Sequence, residues 1–466
     1  MTAIHYVGAI LVLTFITGVG LYSGRRVRSA SDFAIGGRKA GVGIIAGSII
    51  GTLVGGASTI GTAQLAFTYG FSAWWFTLGG GIACLILALF FAKPFYESEI
   101  TTLPQIFSRE YGRSSGTAAA LLTSMGSFLS IVSQLLSGIA LVTAVSSLGS
   151  FGATVVIIAL MLFYVVFGGV WGAGIVGIAK TVLMYVSVGA CGVIAVKLGG
   201  GLSAFRAALP AGQYFRLIAR GAAVDIGAGV SLIVGVLTTQ AYIQAVISAR
   251  SLKISRAGIL LSAALIPLIG IAGIFVGMYM KLYYPDIKAA LALPIFIMEK
   301  LPGLASGAIL AILLVAVVGT GAGIALGLSS MISNDIYRVY INRAAGDRRM
   351  LTVSRLVIVL VLVAAALFTI GETGTLILGW SFMSMGLRGA TAVGALCTAL
   401  FLPGRINKSF ALASMIVGPA FVLVGKLILP ATVDPLFLGI GCSLAVLLAG
   451  FVIGKKETVI ADSKIS

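Results

Sequence analysis

The chain has 466 residues, 59% of them hydrophobic and 9% charged, with a formal net charge of +18. So little polar surface excludes a soluble globular protein of this length and identifies an all-α polytopic membrane protein. The basic excess, which in a soluble chain would suggest nucleic acid, here follows Lys and Arg placed in short loops between apolar runs.

About thirteen apolar runs approach the roughly 20 residues needed to cross a bilayer. They are 3–22, 41–69, 71–95, 117–147, 150–169, 173–198, 223–249, 256–280, 304–334, 351–371, 374–402, 408–430 and 435–454. Counting starts at zero. The first run has no basic residue ahead of it, Arg25, Arg26 and Arg28 follow it, and it lacks a small-residue cleavage site, so an uncleaved span is expected. With the N-terminus outside, 21 Lys/Arg fall in the cytoplasmic loops and tail and 8 in the opposite loops. That imbalance predicts an external N-terminus and a cytoplasmic C-terminus in the plasma membrane. The remaining two of the 31, Lys180 and Arg388, fall inside runs and are assigned to no loop. No carboxylate is expected at mid-membrane, so a cation site would use backbone carbonyls and hydroxyls.

Cys84, Cys191, Cys397 and Cys442 all lie in apolar runs and read as buried thiols, not disulfides. A lone histidine, His5, disfavours histidine catalysis or a zinc site, and no phosphate-cradling loop followed by Lys-Ser/Thr supports ATP-driven transport. No nucleophile–base pair or metal-ligand cluster appears in any run, so an enzyme is not expected, and no cofactor is implied.

Two runs are interrupted. Run one carries GTLVGGASTIGTAQLAFTYG at 51–70, and its Gly-Gly-Ala-Ser-Thr centre predicts unwinding at 55–59 with carbonyl oxygens free to hold something. Run six carries Gly227, Gly229 and Gly235, then Thr238, Thr239, Gln240, Tyr242 and Gln244. The offset of five makes the two runs antiparallel, the pattern of an inverted-repeat transporter with a midplane site. For either segment alone, glycine for close helix packing is the competing reading.

These residues also carry a resemblance. SDFAIGGRKAG before run one, GASTIGTAQLAFTYGFSAWW through it, LPQIFSREYG after run two, FGGVWG at run four, QAVISARS closing run six and SSMISNDIYRVY closing run eight resemble the sodium:solute symporter family. The resemblance implies the leucine-transporter-type fold, with a 5+5 inverted repeat and discontinuous helices one and six in a single transmembrane domain. A leading helix and loop would occupy 1–40, the repeats 41–200 and 201–403, and two trailing helices with a tail 404–466. It further implies a sodium site on the carbonyls of Ala57, Ile60 and Ala316 plus residues 319 and 320, oxygen ligands suiting a hard cation. Two hydroxyls are usual at the last pair; Gly319 and Thr320 supply one. Where many members carry Thr-Asp-x-x-Gln in run five, the Asp position is Gly177 and the Gln position Lys180. The inner-gate tyrosine of some members aligns with Ala241, next to Tyr242.

Lys180 has two readings. Its ammonium stands in for the coupling cation, or it snorkels toward the cytoplasm. Arg388 binds an anionic solute group or caps unwound carbonyls. Ser127, Ser130, Ser133, Gln134 and Ser137 give run three a polar face that is either pocket wall or packing glue. Thr59, Gln64, Gln240, Tyr242, Gln244 and Trp380 complete the expected pocket. The expected function is import of a small polar organic solute, with a carboxylate favoured by Arg388 and Lys180, by Na+ symport with alternating access. A sodium-independent carrier, proton-coupled or facilitative with Lys180 in the ion's place, is the alternative. A membrane sensor would need an output domain that the residues after Gly454 are too few to form. The expected partners are the solute, Na+ and the lipid bilayer, with no nucleic acid and no obligatory protein partner.

Overall fold

A computed structural model of the chain describes residues 2–24, 38–98, 100, 102–370, 374–430 and 432–453, and for 20–24 and 165–176 the backbone alone. Among the described residues there is no strand; one isolated bridge joins Ala40 to Ala249. The fold is helical, as expected from an apolar chain that must satisfy its backbone within each span.

In chain order the helices are α1 (Ala3–Gly24), α2 (Val42–Leu53), α3 (Thr62–Tyr69), entered through a wide turn at Ala57–Gly61, α4 (Trp75–Ile86) and α5 (Ala92–Glu97). Then come α6 (Leu103–Tyr111), α7 (Arg113–Val145), α8 (Ser150–Leu198), α9 (Gly201–Ala208) and α10 (Ala211–Tyr214). Next are α11 (Ala222–Leu237), α12 (Gln240–Ile247), α13 (Leu252–Tyr283), α14 (Ala292–Lys300) and α15 (Gly303–Met331), which continues as wide turns through Ile332–Ile341. The last four are α16 (Asp347–Thr369), α17 (Ile377–Phe401), α18 (Lys408–Ile428) and α19 (Pro435–Ile453).

Among the described residues nine helices are long and apolar enough to cross a membrane, ten if the bent α11–α12 pair counts as one span. The count of thirteen is not reproduced. Runs 150–169 and 173–198 lie in one helix, α8, because the Val-Trp-Gly join at 170–172 holds no proline or charge to stop it. Parts of SDFAIGGRKAG and the side chains of FGGVWG fall outside what is described, as does the tail.

The core is built around α2, α7, α11, α13, α15 and α17. α7 lies against α15 and α17, α2 against α8 and α13, and α11 against α4 and α17, while the α18–α19 pair packs outside α17. Both ends of the bundle are tied. At the Gly70 end Asp225, wholly buried, accepts from Ser72 Oγ (2.6 Å) and from the Arg220 and Ala219 amides (2.9 Å each), and pairs with Arg220 Nη2 at 2.7 Å. At the Ala40 end the Ala40 amide donates to Ser248 O at 3.0 Å, and Thr102 Oγ1 donates to Asp335 Oδ1 at 3.4 Å.

Candidate site at two helix breaks

The first break follows from the backbone count. The Val54 amide still reaches Ile50 O (2.6 Å), but the Gly55 amide turns back onto Leu53 O (3.1 Å). The Gly51 carbonyl thereby loses the partner four residues on that a continuing helix would supply. Downstream, the Gly56 amide donates to Gln134 Oε1 of α7 at 2.9 Å, while the Ser58 and Thr59 hydroxyls donate to Gly55 O at 3.0 and 2.8 Å. Glycine is required here. A Cβ at Gly55 would stand 2.7 Å from Thr320 Oγ1, and one at Gly56 2.3 Å from Ser137 Cβ.

Lys180 fills the vacancy at Gly51, to whose carbonyl Thr320 Oγ1 also donates at 3.1 Å. α8 crosses α2 backbone to backbone, a Cβ at Gly177 falling 2.6 Å from Gly47 O. One turn further, Lys180 Nζ donates to Gly51 O (2.6 Å), Thr320 Oγ1 (2.8 Å) and Ala316 O (3.3 Å). Its three N–H donors therefore meet three oxygens, and the side chain is 4% exposed. The snorkelling alternative does not hold, because this close crossing aims the ammonium inward.

Of the expected sodium ligands, Ala316 and Thr320 join this cluster. Ala57 O instead accepts from Thr62 Oγ1 (3.5 Å), Ile60 is buried in the wide turn, and Gly319 faces the Tyr164 ring, its Cβ position 3.4 Å from the hydroxyl. Gly51 was not anticipated. Its signal was positional: it sits four residues before the glycine at which the helix stops.

The second break is repaired in the same manner. α11 and α12 meet at 48°, and Thr238 Oγ1 donates to Val234 O (2.7 Å) and Thr239 Oγ1 to Gly235 O (2.5 Å). From α17, Arg388 reaches across. Its Nη1 donates to Thr239 Oγ1 (2.9 Å), and its Nη2 to Ser130 Oγ and Ser384 Oγ (3.1 Å each) and to Met385 Sδ (3.1 Å). Its Nε donates to Ser384 O at 3.3 Å, and the residue is 2% exposed. Among the described residues no broken-helix carbonyl receives it, so the capping reading of Arg388 does not hold. Among the described residues the one salt bridge is Arg220–Asp225, so neither Lys180 nor Arg388 faces a carboxylate.

Between the breaks lies a cavity of about 20 Å³, room for about one water. Thr52, Leu53, Ser130, Gln134, Thr239, Tyr242, Ser381, Met385 and Arg388 line it with Phe76 and Ile324. Of the expected solute residues, Ser130, Gln134, Tyr242 and Arg388 are therefore together here. Thr239, which the sequence marked only as part of the break, joins them. The others are placed elsewhere. Gln64 staples α3 to the start of α17 through Thr375 O (3.1 Å) and the Ile377 amide (2.9 Å). Gln240 accepts from the Leu103 amide at 2.8 Å, tying α12 to α6. Trp380 donates to Thr375 Oγ1 (2.8 Å) and lines a separate groove of about 650 Å³ between α11, α17, α18 and α19. Thr59 is spent on Gly55 O, and Gln244 is half-buried outside the cavity. The polar face of α7 proves to be glue as well as wall, since Ser130–Ser384 and Ser133–Ser381 each meet at 2.7 Å.

A family model described as the sodium:solute symporter family matches residues 33–418. An osmoregulated proline transporter of Bacillus subtilis is 24% identical over 435 residues, covering 87% of this chain and 85% of that protein. Sodium/myo-inositol cotransporter 2 of Mus musculus is 24% identical over 411 residues, 76% of this chain and 60% of that protein. Among solved structures, a substrate-bound, outward-open Na+-coupled sialic acid symporter superposes with a TM-score of 0.80 at 20% identity, covering 97% of each chain.

Proposed function

The chain belongs to the sodium:solute symporter family of Na+-coupled solute importers, and from that premise we propose that it carries a small polar organic solute through the cavity between its two helix breaks. It is a multi-pass membrane transporter, not an enzyme. The supporting observation is the meeting of the two broken segments around one buried polar cavity, the arrangement from which inverted repeats rock between access states. In this reading the repeats are 41–200 and 201–403, flanked by 1–40 and 404–466. The excess of Lys and Arg on one set of loops supports an external N-terminus and a cytoplasmic C-terminus in a plasma membrane. No cofactor and no obligatory protein partner is required.

Purified protein in vesicles, offered a defined mixture of amino acids, carboxylates and polyols with an inward Na+ or choline gradient, tests this by mass spectrometry of the trapped solutes. Solute accumulation driven by Na+ is expected; absence of accumulation under every gradient would refute it.

A second reading is favoured by one contact set, Lys180 Nζ on Gly51 O, Ala316 O and Thr320 Oγ1. There a fixed ammonium does the work of the ion, and transport is proton-coupled or facilitative. Wild-type uptake indifferent to Na+, with Na+ dependence emerging in Lys180→Ala, selects that reading.

A further inference from the structure

Two independent features of the central cavity point to one chemical group on the solute, an inference that rests on the transport reading above. The first is Arg388. Among the described residues its hydrogen-bond partners are three neutral hydroxyls, a thioether and a carbonyl, and Nη1, which carries two N–H, meets only Thr239. A guanidinium that cannot shed its proton, held 2% exposed at membrane depth without a counter-charge, is costly and marks a functional site by default. The second is Tyr242, 1% exposed on the first turn of α12, which lines the same cavity and whose hydroxyl has no hydrogen-bond partner among the described residues. A buried phenol ordinarily finds one. α12 begins at this point, and its N-terminal dipole adds to the positive field.

We propose that the transported solute is a monocarboxylate whose carboxylate sits on Arg388 and accepts from the Tyr242 hydroxyl, with its carbon body against Phe76 and Met385. One negative charge matches the one positive charge available. A dianion such as a phosphate ester would bring a surplus charge, and Lys180 cannot answer it because its three donors are already on oxygen. Occupation requires the cavity to widen from its present 20 Å³, which fits a site that closes and opens during transport.

The test uses the full chain in vesicles and a panel in which each small carboxylate is paired with its own amide, for example proline with prolinamide and lactate with lactamide, plus glycerol and myo-inositol. A carboxylate is expected to accumulate over its amide. Arg388→Gln should cut that uptake roughly 10- to 100-fold, the usual scale for a hydrogen bond to a charged group. Tyr242→Phe, which keeps the ring and the packing, should cut it about 3- to 10-fold. Both variants are compared at matched monodisperse protein, and both should erode the carboxylate-to-amide ratio, which a merely structural defect leaves untouched. Accumulation of an amide or polyol as well as any carboxylate overturns the inference while transport stands, as does a ratio unchanged in both variants. Accumulation of nothing under any gradient overturns the transport reading with it.

Discussion

Lys180 and Arg388 are both buried cations beside an interrupted helix, and neither has a carboxylate near it among the described residues. They differ in how their donors are used. Lys180 has three donors and three close oxygens, two of them carbonyls, so its charge is embedded in the repair of the first break. Arg388 has five donors arranged around neutral groups at the rim of a cavity that Tyr242 also lines, its hydroxyl without a hydrogen-bond partner among the described residues. The same electrostatic cost is thus offset in one place by the fold and left in the other for something that arrives. A buried charge is informative only after its donors have been counted.

Swapping the two residues out tests that contrast most forcefully. Lys180→Met removes the ammonium from Gly51 O, Ala316 O and Thr320 Oγ1 and leaves Gly51 O with only the Thr320 hydroxyl at 3.1 Å, so a stability loss of about 2–3 kcal/mol is expected, the scale of a lost hydrogen bond to a charged group. Thermal unfolding in detergent reads it, and Na+ should restore part of the loss in the variant and little in the wild type, as a ligand binding only the folded state would. If wild type and variant respond equally to Na+, Lys180 does not occupy the ion's place.

The next effect is at Gln134→Leu. It orphans the Gly56 amide and should cost about 1–3 kcal/mol by the same measurement; an unchanged midpoint would mean the break does not depend on α7. Arg388→Gln should be smaller in stability, within about 1 kcal/mol, because deleting an uncompensated charge offsets the lost hydrogen bonds. A loss as large as that of Lys180→Met would erase the distinction between the two cations.

The smallest effect lies outside the spans, at Asp434. Burial raises its carboxyl above the ordinary range, against a weaker opposing bond from the Leu436 amide and the charges of Arg220 and Lys426. A raised acid favours the folded state while protonated, so its contribution is present at low pH and is lost as pH climbs through and past the ordinary carboxylate range. Asp434→Asn should flatten that decline in the unfolding midpoint. A decline equally steep in the variant would assign it to another group.

Much of this was legible in the sequence. Glycines followed by hydroxyl residues located both interruptions, since Gly55–Gly56 and Thr238–Thr239 are where helix propensity and side-chain competition agree. Lys180 and Arg388 announced themselves as charges inside apolar runs. What escaped has a common cause. Gln64 and Gln240 were placed in the pocket because their chemistry suited it, yet each bridges to a backbone more than a hundred residues away, and sequence gives no such direction. Ala57 and Ile60 were selected by motif alignment, whereas the carbonyl that the helix itself leaves unpaired, Gly51, is set by where the hydrogen-bond ladder stops. The continuity of α8 escaped too, because Gly168–Gly169 looked like an ending.

The tight crossing of α2 and α8 constrains how this chain could change. Position 177, where many members of the family carry aspartate, abuts the Gly47 carbonyl so closely that any side chain would collide. Restoring an acid there by one substitution would wedge the two helices apart and drag the lysine off its oxygens before any ion could compensate. A lineage or a designer wishing to reverse this arrangement must first make room between the helices, so the order of the steps is itself dictated by the side chain that position 177 lacks.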